Sequence, residues 1–500
     1  MRKVKKKGGE KVGKKVMDSY SFNAEDIKVK VEIFFKEKDY VPIYNLILPE
    51  ISPATRIVLE DIKQDLITKL EINIAELSNL EKISTIKKEF KKKTSLLLEK
   101  EFPSLDEKTR NLLSTYLLFH SIGLGEIEFL LNDNFLEEIV INNSKEPVWV
   151  YHKKYGWLKT NIEIDSENKI YNLASQIGRR VGRQITILNP LLDAHLITGD
   201  RVNATLFPIS TRGNTITIRK FARTPWTITQ FIENKTISLE VAALLWLAIH
   251  YELSILIAGG TGSGKTSMLN VLAAFFPPNQ RIISIEDTRE LQLPSFLHWV
   301  PLVTRNPNPE GKGGVSMLDL LVNSLRMRPD RIIVGEVRRQ KEAEVMFEAM
   351  HTGHSVYGTI HADTAEQTIV RLTNPPINIP KNMIPAISLI VVQFRNRRLN
   401  IRRTLEVAEV TEEGDVNILY RWNPISDDIK KANESNTLIR TLRMFTGFSN
   451  EEIKKELEIR KKVLQYMVKS GIRDIEEVSR IISDYYRDKK ELLKRLKIKV

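Results

Sequence analysis

Residues 259–266 read Gly259-Gly260-Thr261-Gly262-Ser263-Gly264-Lys265-Thr266. They fill every defined position of the phosphate-binding pattern G-x-x-x-x-G-K-[ST]. This stretch dictates its surroundings, because such a loop works between a strand and a helix. The chain supplies both. Residues 253–258 are an apolar run of strand length, and 267–276 are of helical length and stopped by Pro277-Pro278. Glycines let the backbone wrap so that successive N–H groups point inward at phosphate oxygens. The helix that starts there turns its positive end to the same anion. Gly260, Thr261, Gly262, Ser263, Gly264, Lys265, Thr266 and Ser267 are therefore the expected nucleotide contacts. Lys265 reaches the β/γ-phosphates in this scheme, and the Thr266 hydroxyl holds Mg²⁺.

From residue 238 onward apolar strands alternate with helices, the pattern of a parallel sheet covered on both faces. Strands are expected at 253–258, 281–286, 331–336 and 355–360, with helices at 266–276, 317–327 and 342–351. Two of these strands end in acids: Glu286-Asp287 closes one and Glu336 the other. In open parallel sheets the ligand lies off the carboxyl ends of the strands, so all three acids fall on the correct edge. Glu336 is the candidate for positioning the attacking water or supporting the metal, and Glu286 and Asp287 are candidates for the same network. Two histidines, His354 and His361, bracket the 355–360 strand. Seven extended residues span roughly 23 Å, so both cannot meet one γ-phosphate in the same subunit. His361, at the carboxyl end, is the expected ligand sensor; His354 is left a structural or intersubunit role.

A chain of 500 residues exceeds one core, so several domains are expected. Residues 1–20 read as a basic disordered tail and 21–126 as a mostly helical extension. A small α+β domain is expected at 127–224 and a hinge at 225–237. An ATPase-type α/β domain at 238–425 and a helical C-terminal region at 426–500 complete the chain. There is no cysteine, which excludes disulfides and thiolate metal sites. The window 241–259 is apolar but contains His250 and Glu252, and reads as a buried helix entering the loop's strand, not a membrane span. The basic N-terminus is followed by no apolar run, so no secretory signal is expected. Net charge is +13, and about half of it lies in residues 1–15. That segment could touch anionic lipid or nucleic acid.

The segments GGTGSGKT, IEDTREL, RPDRIIVGEVR and TGHSVYGTIHA, in this order, resemble the secretion and type IV filament ATPase family. Its marks are a phosphate loop, an acidic box, a Walker B ending in Gly-Glu, and a histidine box. The likeness extends upstream through DAHLITGDRVNATL and TITIRKFARTPWTITQFI, covering roughly 127–420. It implies a RecA-like core beside an N-terminal α+β domain, ATP and Mg²⁺ as cofactors, and a homo-hexameric ring. It also implies arginines that reach the phosphates from the N-terminal domain or a neighbour. Arg201 and Arg219 occupy the matching motif positions, and Arg212 is a weaker candidate in the intervening turn. A permanently charged fork suits that role. Without cysteine the chain cannot carry the four-cysteine module of bacterial general-secretion members. It looks more like archaeal members, including the archaellum motors. Residues 1–126 match no motif.

The resemblance implies an ATP-hydrolysing motor on the cytoplasmic face of a membrane, acting on a polytopic platform protein to add filament subunits or export substrates. A RecA-like nucleic-acid translocase is the alternative. It is disfavoured because half of the excess charge sits in one tail, so nucleic acid is not an expected partner. A nucleotide-gated scaffold with little turnover is a third class. A GTPase is disfavoured, since 234–237 (Asn-Lys-Thr-Ile) lacks the acid for guanine recognition and precedes the loop.

Overall fold

The apolar run before the phosphate loop folds as the central strand of a sheet. The computed structural model describes residues 14–36, 39–69, 80–196, 198–221, 224–307 and 311–498. They fall into two compact units, Met1–Arg223 and Thr224–Val500.

In the second unit, Ile255–Gly259 is buried along its whole length. It pairs in parallel with Ser355–Ile360 on one side and Leu389–Asn396 on the other. Beyond Ser355–Ile360 come Arg331–Val334, Ile282–Glu286 and Trp299–Val303, all parallel. Beyond Leu389–Asn396 the sheet continues antiparallel through Ile401–Val410, Val416–Asn423 and Asp428–Lys431, nine strands in all. The unbroken Ile/Leu/Val runs follow from burial on both faces. Ile255 and Ile257 point into a core shared with helices Leu239–His250, Lys265–Ala273 and the C-terminal helices. Leu256 and Ala258 point into the opposite core, with Met317–Ser324, Gln340–His351 and Ala365–Thr373. A doubly covered α/β sheet was the expectation for this region.

Two boundaries differ from the sequence reading. The 225–237 hinge contains helix Ile228–Glu233, whose Ile228 and Phe231 are buried in the second unit's core. The 426–500 region, expected to be helical, opens with the edge strand Asp428–Lys431. The C-terminal helices Thr437–Thr446, Asn450–Lys469, Ile475–Arg487 and Lys489–Arg495 pack on this sheet through Leu442, Val463, Leu464 and Ile482. A buried polar knot ties them down. Arg460, fully buried, donates to Glu456 at 2.5 Å, to the Tyr485 hydroxyl at 3.1 Å and to His250 Nδ1 at 2.9 Å.

Burial, then the Arg460 charge, push the His250 pKa down to about 3. His250 is therefore neutral in the fold and charged when unfolded in mild acid. Its contribution is complete above the ordinary histidine range and is lost as pH falls toward 3. Between pH 6.5 and 5 the protein is expected to lose about 2 kcal/mol through this group. Denaturant unfolding at the two pH values measures it. His250→Gln, which accepts from Arg460 but cannot protonate, should lose less; an equal loss rejects the assignment.

The first unit is built on a second nine-stranded sheet. From one edge it runs Lys14–Ala24, Ile27–Lys36, Ile43–Ile47, Gly156–Thr160, Trp149–His152, Leu136–Ile141, Thr215–Arg219, Arg201–Thr205 and Leu191–His195. Residues 127–224 contribute six of the nine strands. Residues 1–13 of the expected tail lie outside the described residues. Lys14–Ala24, expected as tail and extension, is a strand hairpinned to Ile27–Lys36. Its physical anchor is internal: the hydroxyls of Tyr20 and Tyr44 both donate to the buried Asp133 carboxylate, at 2.5 and 2.7 Å. So the first residues of the expected helical extension complete the α+β sheet. Helices Pro53–Lys69, Leu80–Glu101 and Glu107–Ser121 form a separate small core around Leu59, Phe90, Leu98 and Leu117.

Candidate functional site

The phosphate loop joins Ile255–Gly259 to helix Lys265–Ala273. Gly259 is required by close approach. A Cβ there would stand 2.4 Å from the Gln393 carbonyl and 2.5 Å from Ser263 Oγ, both inside contact distance. Gly262 and Gly264 then take positive φ, +71° and +96°, and lead into the helix N-terminus, where backbone N–H groups favour an anion.

Lys265 Nζ donates to the carbonyls of Gly259 and Gly260 at 2.9 and 3.0 Å. It also lies 3.3 Å from His361 Nδ1. His361 Nε2 is in turn 3.0 Å from Glu336 Oε1. An ammonium only donates and a carboxylate only accepts. The tautomer that satisfies both is a neutral imidazole with its proton on Nε2. Burial and the Lys265 charge lower the His361 pKa against the opposing pull of Glu336, which agrees with a neutral ring. Burial acts to raise the Glu336 pKa, but the Arg338 and His361 side outweighs it and the net shift is downward. Glu336 is thus an anion reached through one histidine from the phosphate lysine.

Arg338 closes the network on the other side. Its guanidinium spans Glu336 Oε2 at 2.6 Å and Asp287 Oδ2 at 2.8 Å. Asp287 also accepts from Thr304 Oγ1 at 3.3 Å. The structure brings Lys265, His361, Glu336 and Asp287 together, the last through Arg338. Arg338 was not singled out in the sequence. The signal was present, since residues i and i+2 of an extended segment share a side.

Glu286 stands apart from this network. It is 2 % exposed, and its Oε1 accepts from the backbone N–H groups of Glu290 and Leu291 at 2.9 and 3.1 Å. Oε2 is buried without a hydrogen-bond partner. Burial pushes its pKa up to about 7. These bonds shape the turn after the strand and so place Asp287. His354 hydrogen-bonds the Ala349 carbonyl at 3.2 Å and the Thr352 hydroxyl at 3.2 Å, closing the end of the helix before it, Gln340–His351. That is a structural role.

In the first unit, Arg201 and Arg219 face each other across the strand pair Arg201–Thr205 and Thr215–Arg219. Both are exposed. Asp193 on the next strand engages Arg201 twice, at 3.1 and 2.9 Å. Arg212 pairs with Glu146 at 2.6 Å, away from that edge in register.

Over residues 194–480 the sequence matches the family described as Type II/IV secretion system protein. The match takes in the loop, both acidic strand ends and the histidine strand. The chain belongs to the type II/IV secretion system protein family. Within the family it is 37% identical over 377 residues to an uncharacterized protein of Methanocaldococcus jannaschii, covering 73% of this chain and 68% of that one. It is 33% identical over 261 residues to the type IV secretion system protein PtlH of Bordetella pertussis, covering 48% of this chain and 76% of PtlH. Among solved structures, the ATPase DotB of Legionella pneumophila aligns at 22% identity with a TM-score of 0.44, over 58% of this chain and 81% of DotB.

The secretion-family match starts at residue 194, so it includes Arg201 and Arg219 and leaves out the strands and helices before them. Two residues beside the loop escaped the sequence reading. Arg402 Nε donates to the Gly262 carbonyl at 3.1 Å, and Arg395 NH1 lies 2.8 Å from where a Cβ on Gly262 would stand. Their signal was the arginine-dense run 395–403 after an apolar strand.

Proposed function

We propose that the chain is a Mg²⁺-dependent ATP hydrolase that works as a homo-hexameric motor. In this reading it powers assembly of a type IV pilus-like filament or type II-like protein export, acting on a polytopic platform protein from the cytoplasmic face of a membrane. The observation that carries the reading is the Lys265–His361–Glu336 relay. It links the group that meets the β/γ-phosphates to the carboxylate that orients water. Phosphoryl transfer needs positioning and charge neutralisation more than covalent chemistry, and this site offers both.

The oxygen donors suit Mg²⁺. Thr266, Asp287 and Glu336 would hold it, and it would neutralise charge on the terminal phosphates when bound. Among the described residues no group of three or more His, Cys, Asp or Glu could hold an ion. Mg²⁺ takes one or two carboxylates and completes its shell with water and phosphate. Arg201 and Arg219 are proposed to reach the phosphates from the α+β domain of the same or a neighbouring subunit. Arg201 would first have to leave Asp193. Among the described residues no helix is long and apolar enough to cross a membrane. Membrane association is assigned to the platform protein and to the basic residues 1–15 on anionic lipid.

The test uses the purified full-length protein with ATP and Mg²⁺, with and without anionic vesicles, followed by sedimentation. Hydrolysis by a hexameric species, stimulated by vesicles, is the expected result. Tight, salt-sensitive DNA binding with DNA-stimulated hydrolysis would instead identify the translocase. Nucleotide binding without turnover under all conditions would identify the scaffold.

A further inference from the structure

The hairpin after the central strand holds a pairing that strand chemistry disfavours. Leu389–Asn396 and Ile401–Val410 run antiparallel with Arg395 directly opposite Arg402. Like charges facing each other across a strand pair repel. Arg403, one residue along and so on the other face, is neutralised by a two-point pair with Asp427 at 2.7 and 2.9 Å. Arg395 and Arg402 both lie against the phosphate loop. The Arg402 Nε bond to Gly262 holds one side of it, and Arg402 Cδ lies 3.7 Å from the Cβ position of Gly264. Arg395 fills the space where any side chain at 262 would stand. Gly262 has φ +71°, a left-handed turn in which glycine is at ease and most residues are not.

We propose that Arg395 and Arg402 form a cationic brace on the phosphate loop. They fix the turn at Gly262 before the ligand arrives. Their charges, permanent and close, add to the attraction for the polyphosphate of a nucleoside di- or triphosphate bound by the same chain. They position the loop by contact and strengthen ligand binding by charge. The proposal rests on reading residues 259–266 as a nucleotide site.

The test titrates full-length protein with fluorescent ADP and ATP analogues at low and high salt. The double variant Arg395→Gln/Arg402→Gln should bind roughly ten- to hundredfold more weakly, the range of charge-assisted contacts. Its salt dependence should be shallower. KM should rise while kcat at saturation changes by less than about threefold. The double lysine variant keeps both charges and should recover most of the affinity and the salt slope. Thermal unfolding without nucleotide separates these effects from misfolding. If the double variant melts early, the single Arg395→Gln carries the test with a smaller loss in the same direction. Wild-type affinity in the glutamine variants, alongside lost binding in Lys265→Ala, overturns the brace and leaves the nucleotide site standing. So does a fall in kcat with unchanged affinity. Wild-type binding in Lys265→Ala overturns the site reading and the brace with it.

Discussion

Lys265→Ala is expected to weaken nucleotide affinity about a hundredfold and to leave only a small residual rate of hydrolysis. The reason lies in what the ammonium already holds. Its bonds to the Gly259 and Gly260 carbonyls, at 2.9 and 3.0 Å, keep both sides of the loop's entrance in register. An incoming phosphate offers stronger, charged acceptors at the same place, so the lysine can turn to it without reorganising the strand. A charged hydrogen bond of this kind is worth about 1.5–3 kcal/mol, and each 1.4 kcal/mol is about tenfold in affinity. Removing the ammonium also leaves His361 Nδ1 without the donor 3.3 Å away. The pH dependence of the residual rate should then change as well, because the imidazole pKa is no longer lowered by a neighbouring cation. Isothermal titration with ADP, together with single-turnover hydrolysis, measures both effects. Retained binding in this variant would sink the nucleotide-site reading.

Much of this site was legible because its chemistry is local. The loop, the Gly-Glu strand end and His361 each sit in a few consecutive residues whose order fixes their geometry. The central parallel strands were legible for a related reason: burial on both faces demands unbroken runs such as Ile282–Glu286 and Ser355–Ile360. What the sequence hid depends on pairing at a distance. Trp299–Val303 contains Pro301, which cannot donate to a ladder and so argued against a strand. It is tolerated because this strand lies at the sheet edge and pairs only with Ile282–Glu286. In Lys14–Ala24 the apolar Val16 and Met17 are adjacent, which breaks the alternation where the ladder carries a bulge. The strand is held by Tyr20 on Asp133, a residue more than a hundred positions away. Glu286 and Asp287 are neighbours of the same type in the sequence. The structure divides them: successive side chains of an extended segment point to opposite sides. Glu286 is sent into the turn at Glu290 and Leu291, and Asp287 toward Arg338. Arg395 and Arg402 were invisible as a pair because only the hairpin register sets them opposite each other.

That division sets the second large effect. Glu336→Gln is expected to lower kcat by about 10²–10⁴, the usual contribution of a general acid–base group, while leaving ATP affinity within about threefold of wild type. The amide keeps the oxygen that accepts from His361 and nearly the same volume, so the relay to Lys265 survives in form. What is lost is the negative charge that accepts a proton from water. The Arg338 bond holds the Glu336 pKa below its ordinary value despite burial. The wild-type carboxylate is therefore charged throughout the neutral range, and the acid limb of its rate profile should fall below the ordinary glutamate range. In Glu336→Gln that limb should vanish along with the rate. Glu286→Gln is the control within the same acidic set. Its carboxylate serves two backbone N–H groups and not the relay, so its kcat should fall far less than that of Glu336→Gln. Single-turnover rates measured across pH, with binding followed separately, distinguish the two. If Glu286→Gln abolished turnover while Glu336→Gln kept it, the carboxylate roles assigned from this geometry would be reversed. The water-orienting group would then have to be sought in the turn at Glu290 rather than beside His361.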